Sequence, residues 1–217
     1  MSQDKPKRSL EIDIMNKWVL VSTLESIPDK EILKYPGNSF LGFVYIDHQC
    51  GTSLMIQCFC DTNSKEIKKT VSPLESGQTM YIFRFDVIKN MTLRILDPEE
   101  ALMLGYNSRP DWVAHYTNPN LDVVRNNRFL DRFRYHGFPD DIQVLLPPTD
   151  NLQPELVFGR LEKEISEMVF ECQLLNEPNQ KREVSGGDLV IVTPYEIYND
   201  LYMLCLGTSN QTPLDFD

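Results

Sequence analysis

Between residues 39 and 47 the chain reads Ser-Phe-Leu-Gly-Phe-Val-Tyr-Ile-Asp, apolar at nearly every position. Alternation puts Phe40, Val44 and Ile46 on one side and Leu41, Phe43 and Tyr45 on the other. A strand here must be covered on both faces. The turn "HQCG" leads into "SLMIQCFC" (53–60), which predicts a hairpin. "NKWVLV" reads as a further strand. "TMYIFRFDVI" (79–88) and "MTLRIL" (91–96), separated by Lys89-Asn90, predict a second hairpin.

Helical signals punctuate these runs. "IPDKEILKYPG" predicts a short helix, with Pro28 near its start and Pro36-Gly37 at its end. "DPEEALMLGY" predicts another, capped by Asp97, opened by Pro98 and closed by Gly105. Glu99 and Glu100 sit at the positive end of its dipole. "NSRPDWVAHYTNP" reads as a loop or broken helix. A longer helix is predicted from Asn118 as cap, through Pro119, to Gly137 as terminator.

Beyond it the character changes. "DIQVLL", "ELVFGRLEK", "MVFECQLL" and "DLVIVTP" are short strands between Pro-, Asn- and Gly-rich turns. The expected class is α+β: a mostly antiparallel sheet with a few helices, then a small β-rich, barrel-like module. The expected limits are a tail at 1–10, an α+β module at 11–137 and the β-rich module at 138–217. A chain of 217 residues has the length for such a core without staples.

Charge narrows the function. The net charge is −11, which repels phosphate backbones and acidic lipid, so neither nucleic acid nor membrane is expected as a partner. A basic protein partner is favoured electrostatically. No secretion signal follows the polar start "MSQDKPKRSL", and no apolar run approaches a membrane span. Five cysteines in such a chain read as reduced thiols, so a cytoplasmic location is expected.

Three constellations could carry chemistry. His48, Cys50, Cys58 and Cys60 are soft ligands within thirteen residues. Their spacing is not that of paired C-x-x-C knuckles, and Cys58 and Cys60 continue the strand face of Leu54 and Ile56. Buried thiols, with no metal and no cofactor, are therefore predicted. On the long helix Arg125, Arg128 and Arg132 would lie within about 60° of one another, opposite Phe129, Leu130 and Phe133. Such a stripe could hold an anion, although Asp122 and Asp131 at i±3 would equally make it a solvated face. Asp111 and His115, four apart beside Trp112, could orient a general base if that segment is helical, but no nucleophile turn accompanies them. The Walker, dinucleotide-binding, H-E-x-x-H and EF-hand patterns are absent from the sequence. The acidic pairs in "PEE" (98–100) and "PDD" (139–141) read as helix-start or turn carboxylates.

The segment "LLNEPNQKREVSGGD" carries Leu174, Leu175, Asn176, Glu177, Pro178, Gln180, Val184, Gly187 and Asp188. It resembles a segment that recurs in an uncharacterised bacterial domain family, and "GFPDDIQVLL" resembles the stretch that opens the same module. The resemblance spans about a third of the chain and brings no activity with it. Its frame reads as architecture: Pro178 ends a strand, and Gly186 and Gly187 turn the chain through positive φ. The interior departs from the family pattern. Asn179, Gln180, Lys181, Arg182 and Glu183 are thus the candidate partner-binding loop.

The expectation that follows is a cytoplasmic bacterial accessory protein, of an immunity or regulatory kind, whose acidic surface meets a basic protein. The alternative is an enzyme or small-ligand binder with a site between the two modules, lined by Trp112, His115, Arg125, Arg128 and Arg132.

Overall fold

A computed structural model describes residues 13–209 apart from 23, 25, 26, 28, 29, 64, 65, 74–79, 107 and 150. The expected tail at 1–10 and the expected helix start at Pro28 lie outside the described residues. The chain divides into two compact units, the second beginning at Thr117.

The first unit is an antiparallel sheet centred on β2, Ser39–Asp47. Its order is β4 (Lys68–Lys69), β3 (Gly51–Asp61), β2, β1 (Trp18–Ser22) and β6 (Thr92–Ile95), with β5 (Ile82–Arg84) also pairing β3. Residues 39–46 of β2 are all buried, as the doubly apolar pattern requires. Phe40 and Val44 pack with Leu54, Ile56 and Phe59 on one face. Leu41 packs with Cys58 and Cys60 on the other, and Phe43 and Tyr45 pack with Met55 there. The β2–β3 turn closes as expected, with Asp47 Oδ1 accepting from the amides of Gln49 and Cys50 at 3.0 and 3.1 Å.

A bulge corrects one expectation. Gly42 pairs with Ile56 and Leu41 with Cys58, so Gln57 is an extra residue in β3. The extra residue reverses the alternation beyond it. Cys58 and Cys60 therefore face away from the side of Leu54 and Ile56 rather than continuing it.

The second hairpin does not form either. Phe85 and Ile88, three apart and both buried, close a single helical turn, α1 (Phe85–Ile88), between β5 and β6. β5 then pairs β3 while β6 pairs β1. Helix α2, Pro98–Met103, forms as read. Asp97 accepts from the Glu100 amide, and Glu100 reaches back to the Asp97 amide in a full capping box. Residues Asp111–Tyr116 form a 3₁₀ helix, and Lys30–Lys34 another.

The second unit is a barrel with a helical start. Helix α3, Pro119–Asn126, is capped by Asn118, whose side chain accepts from the Asn120 amide. It does not run to Gly137. Asn127 leaves the helical region (φ −73°, ψ 100°), and its side chain accepts from the Phe129 amide to start a separate 3₁₀ helix, Arg128–Arg132. A short polar side chain that bonds nearby backbone is the reason the helix breaks here. A short β7 (Arg134–Tyr135) pairs with β8 (Phe138–Leu146).

The strands β8 (Phe138–Leu146), β9 (Glu155–Ser166), β10 (Val169–Leu174), β11 (Leu189–Ile197) and β12 (Asp200–Thr208) follow as a meander. Directions alternate, so the first and fifth strands run the same way, and β12 closes onto β8 in parallel at Met203–Val144 and Leu204–Leu145. The closed barrel leaves none of its five strands without two neighbours along the meander. Val144, Val157, Phe170 and Val192 fill its interior, joined by Val124 and Leu130 from the helical segment. Residues 117–137, grouped with the first module on sequence grounds, thus pack into the second core.

Candidate functional site

The arginines expected to share one helix face are separated. Arg125 points into the second unit and forks onto Asp140 of β8, with Nε and Nη2 donating at 2.9 and 2.6 Å. The two side chains are 6% and 3% exposed, so this is a buried, bidentate ion pair. Arg128 and Arg132 lie beyond the break at Asn127 and are exposed, with the Arg132 guanidinium 4.6 Å from the Phe129 ring centre. The predicted stripe does not exist, because it needed a continuous 3.6-residue repeat.

The central arginine of this region is one the pattern did not single out. Arg134 donates to the carbonyls of Val124, Arg125 and Asn127, the last turn of α3, and to that of Pro139 on β8. It also pairs with Asp131 at 3.2 Å. A cation here satisfies carbonyls at the negative end of a helix. Burial, the largest cause, lowers its pKa. Asp140 and Asp141, read from sequence as turn carboxylates, stand in β8 itself. Asp141 binds Arg160 at 2.7 Å, just as Asp140 binds Arg125.

In the first unit Trp112 packs edge-on against Tyr45 (5.0 Å) and Phe43 (6.3 Å), as part of the sheet's covering layer. Burial and the neighbouring Tyr116 raise the Tyr45 pKa. Asp111 and His115 are exposed. A 3₁₀ helix has three residues per turn, so positions four apart do not share a face, and the expected Asp–His pair is not assembled. His48 and Cys50 sit in the β2–β3 turn, while Cys58 and Cys60 are buried towards the other end of β3. Among the described residues no group of three or more His, Cys, Asp or Glu side chains is placed to hold a metal ion.

The loop after β10 is laced to the barrel. Its ends behave as read only in part, since β10 ends at Leu174, ahead of Pro178. The Gly187 amide donates to Leu174 O at 2.8 Å, Asn176 Oδ1 accepts from the Phe158 amide at 2.8 Å, and Asp188 accepts from the Ser185 amide at 2.8 Å. Of the two glycines only Gly187 has positive φ (+91°). Gly186 is needed for space, since a Cβ there would lie 3.1 Å from the Glu177 amide nitrogen. Its middle is held by Glu155 at the start of β9, which accepts from both the amide and the side chain of Asn179 and from the Gln180 amide. These backbone donors, Asn179 first, hold the Glu155 pKa below the usual range. Gln180 bonds both backbone groups of Gln153 at 3.0 Å, and Arg182 donates to Pro147 O and Gln153 O. Of the five candidate residues Asn179, Lys181 and Glu183 are exposed, while Gln180 and Arg182 are partly buried. The same loop walls a cavity of about 730 Å³, with Leu146, Leu152, Val184 and Leu204.

The outer wall of the barrel carries an apolar surface that no sequence pattern marked. Tyr135 of β7, Leu156 and Phe158 of β9 and Leu175 are each 39–50% exposed. Tyr135 and Phe158 meet edge-on at 5.4 Å, the Leu175 amide donates to Phe158 O at 2.8 Å, and Leu156, two residues before Phe158 on β9, faces the same side of the strand. Strand alternation is the cause: Val157 and Gly159 turn inward, and Leu156 and Phe158 must turn out.

No protein-family model matches the chain, and no curated protein or solved structure is significantly similar to it. No helix among the described residues is long and apolar enough to cross a membrane.

Proposed function

We propose that this chain acts by binding another protein, as a bacterial cytoplasmic accessory factor of the immunity or regulatory kind. The observation that carries the reading is the outward cluster Tyr135, Leu156, Phe158 and Leu175. Exposed apolar surface of this sort, rich in aromatics, is what anchors protein interfaces. The net charge of −11 supports a basic partner, which long-range attraction would steer to the surface. The lacing of Asn179, Gln180 and Arg182 to Glu155 and Gln153 makes that loop the rigid neighbour of the patch rather than its contact arm.

Affinity purification from the native host tests this. The wild-type chain should recover one stoichiometric basic protein, and the Tyr135→Ser/Phe158→Ser variant should lose it while keeping its fold. Recovery of the same protein by both chains would overturn the assignment of the surface. Recovery of none by the wild type would overturn the function.

A further inference from the structure

A separate cleft lies in the first unit. It has a volume of about 640 Å³, and its apolar floor includes Trp18, Phe43, Leu96, Ala101 and Tyr106. The aromatic part is built rigidly. Trp18 stacks on Tyr106 at 4.3 Å and meets Phe43 edge-on at 5.0 Å. Its indole N–H donates to Ser108 O at 3.0 Å, which pins the segment after α2 beside the sheet. The Tyr106 hydroxyl donates to Cys58 Sγ at 3.3 Å, which fixes that ring as well.

The polar residues of this cleft include two cations, Lys17 and Arg109, and one carboxylate, Asp97. Asp97 is already engaged as the cap of α2, accepting from the Glu100 amide at 2.8 Å. Among the described residues most other cations are paired. Lys34, Lys89, Arg94, Arg160 and Lys163 each hold a carboxylate partner. Among the described residues, neither Lys17 nor Arg109 does, and both are exposed at the cleft. An apolar aromatic floor beside two exposed cations that hold no carboxylate partner among the described residues is complementary to one kind of ligand chemistry. A guanidinium receives a carboxylate or phosphate in its plane, and the stacked rings receive a flat apolar body.

We infer that this cleft is a binding site for a small planar apolar molecule bearing one anionic group, a carboxylate or a phosphate. The anion sits between Lys17 and Arg109, and the ring system lies against the part-exposed Trp18 and Tyr106. A cationic ligand of the same shape is rejected by the same two side chains.

The Trp18 indole N–H resonance reports on the site, because Trp18 lines the cleft. The chain has two tryptophans, so the Trp112→Phe variant assigns the signal. Naphthoate and naphthyl phosphate are titrated against naphthylmethylamine. At least one anion should shift the Trp18 signal saturably, and the amine should bind about tenfold more weakly or worse, the difference expected for one favourable charge contact at a surface. The Lys17→Glu/Arg109→Glu variant should abolish or invert the preference. Binding of anions and amine with equal affinity, or no saturable shift with either anion at millimolar concentration, would overturn the proposal. So would unchanged anion affinity in the charge-reversed chain. The wild-type preference alone decides the matter if that variant does not fold.

Discussion

Arg125 and Asp140 meet where water is almost excluded, so each depends on the other for its charge to be tolerated. Removing one partner strands the other. Asp140→Ala should cost about 3–5 kcal/mol, whereas Arg125→Met/Asp140→Leu should recover most of the loss. Urea denaturation of the three chains measures both effects. The thiols give a pH signature at the same scale. Burial, then Cys58 nearby, pushes Cys60 up to about 12, and burial also raises Cys172 and Cys205. The unfolded thiols ionise near about 8.5, so above that pH the unfolded state sheds protons that the folded state keeps. The stability these thiols contribute is present in full below about 8.5 and is lost as pH rises towards the folded values. The slope is about 1.4 kcal/mol per pH unit for each such thiol. The urea midpoint should fall above pH about 8.5, and Cys60→Val should flatten the decline. A midpoint independent of alkaline pH would contradict the burial of these groups.

At the scale of elements the closed barrel sets the tightest constraint. Gly159 faces its interior, where an added Cβ would collide with Cys172 Sγ and lie 2.9 Å from Val144 Cγ2. Gly159→Ala should therefore cost about 1–3 kcal/mol by overpacking. Adding Cys172→Ala should return part of that, and thermal unfolding of the single and double variants provides the comparison. Several elements were legible in sequence because their causes are local. The Asp97 cap, the turn at 48–51 and the doubly apolar run at 39–47 each depend on neighbours within a few positions. The bulge at Gln57 and the break at Asn127 were not legible. A bulge shows only when two strands are paired. Asn127 ended a helix that the Leu121–Val124 spacing alone would have let continue.

For the whole molecule, the second unit holds a complete core and a closed sheet within residues 117–209. Residues 117–217 expressed alone should give a dispersed amide spectrum and one cooperative urea transition. A fragment from 138 to 217 should not, since it lacks Val124, Leu130 and the Arg125 and Arg134 anchors. A disordered 117–217 fragment would show that this core is incomplete. The expected class, antiparallel α+β with a barrel-like module, was readable from strand-length apolar runs and turn residues, because short-range alternation largely dictates what a segment can bury.

What sequence alone determined is thus the α+β class with its barrel-like module, the order of most strands, the acidic charge, and the Asp188 contact that helps frame the loop at 174–188. These follow from periodicity, composition and turn chemistry, which act between near neighbours. Tertiary structure decided which side chains meet. It turned Arg125 inward to Asp140, enlisted Glu155 to hold Asn179 and Gln180, and set Trp18 beside Ser108 with Lys17 and Arg109 at one cleft. Those contacts join residues far apart in the chain, and only strand pairing and the packing of buried surface bring such residues together.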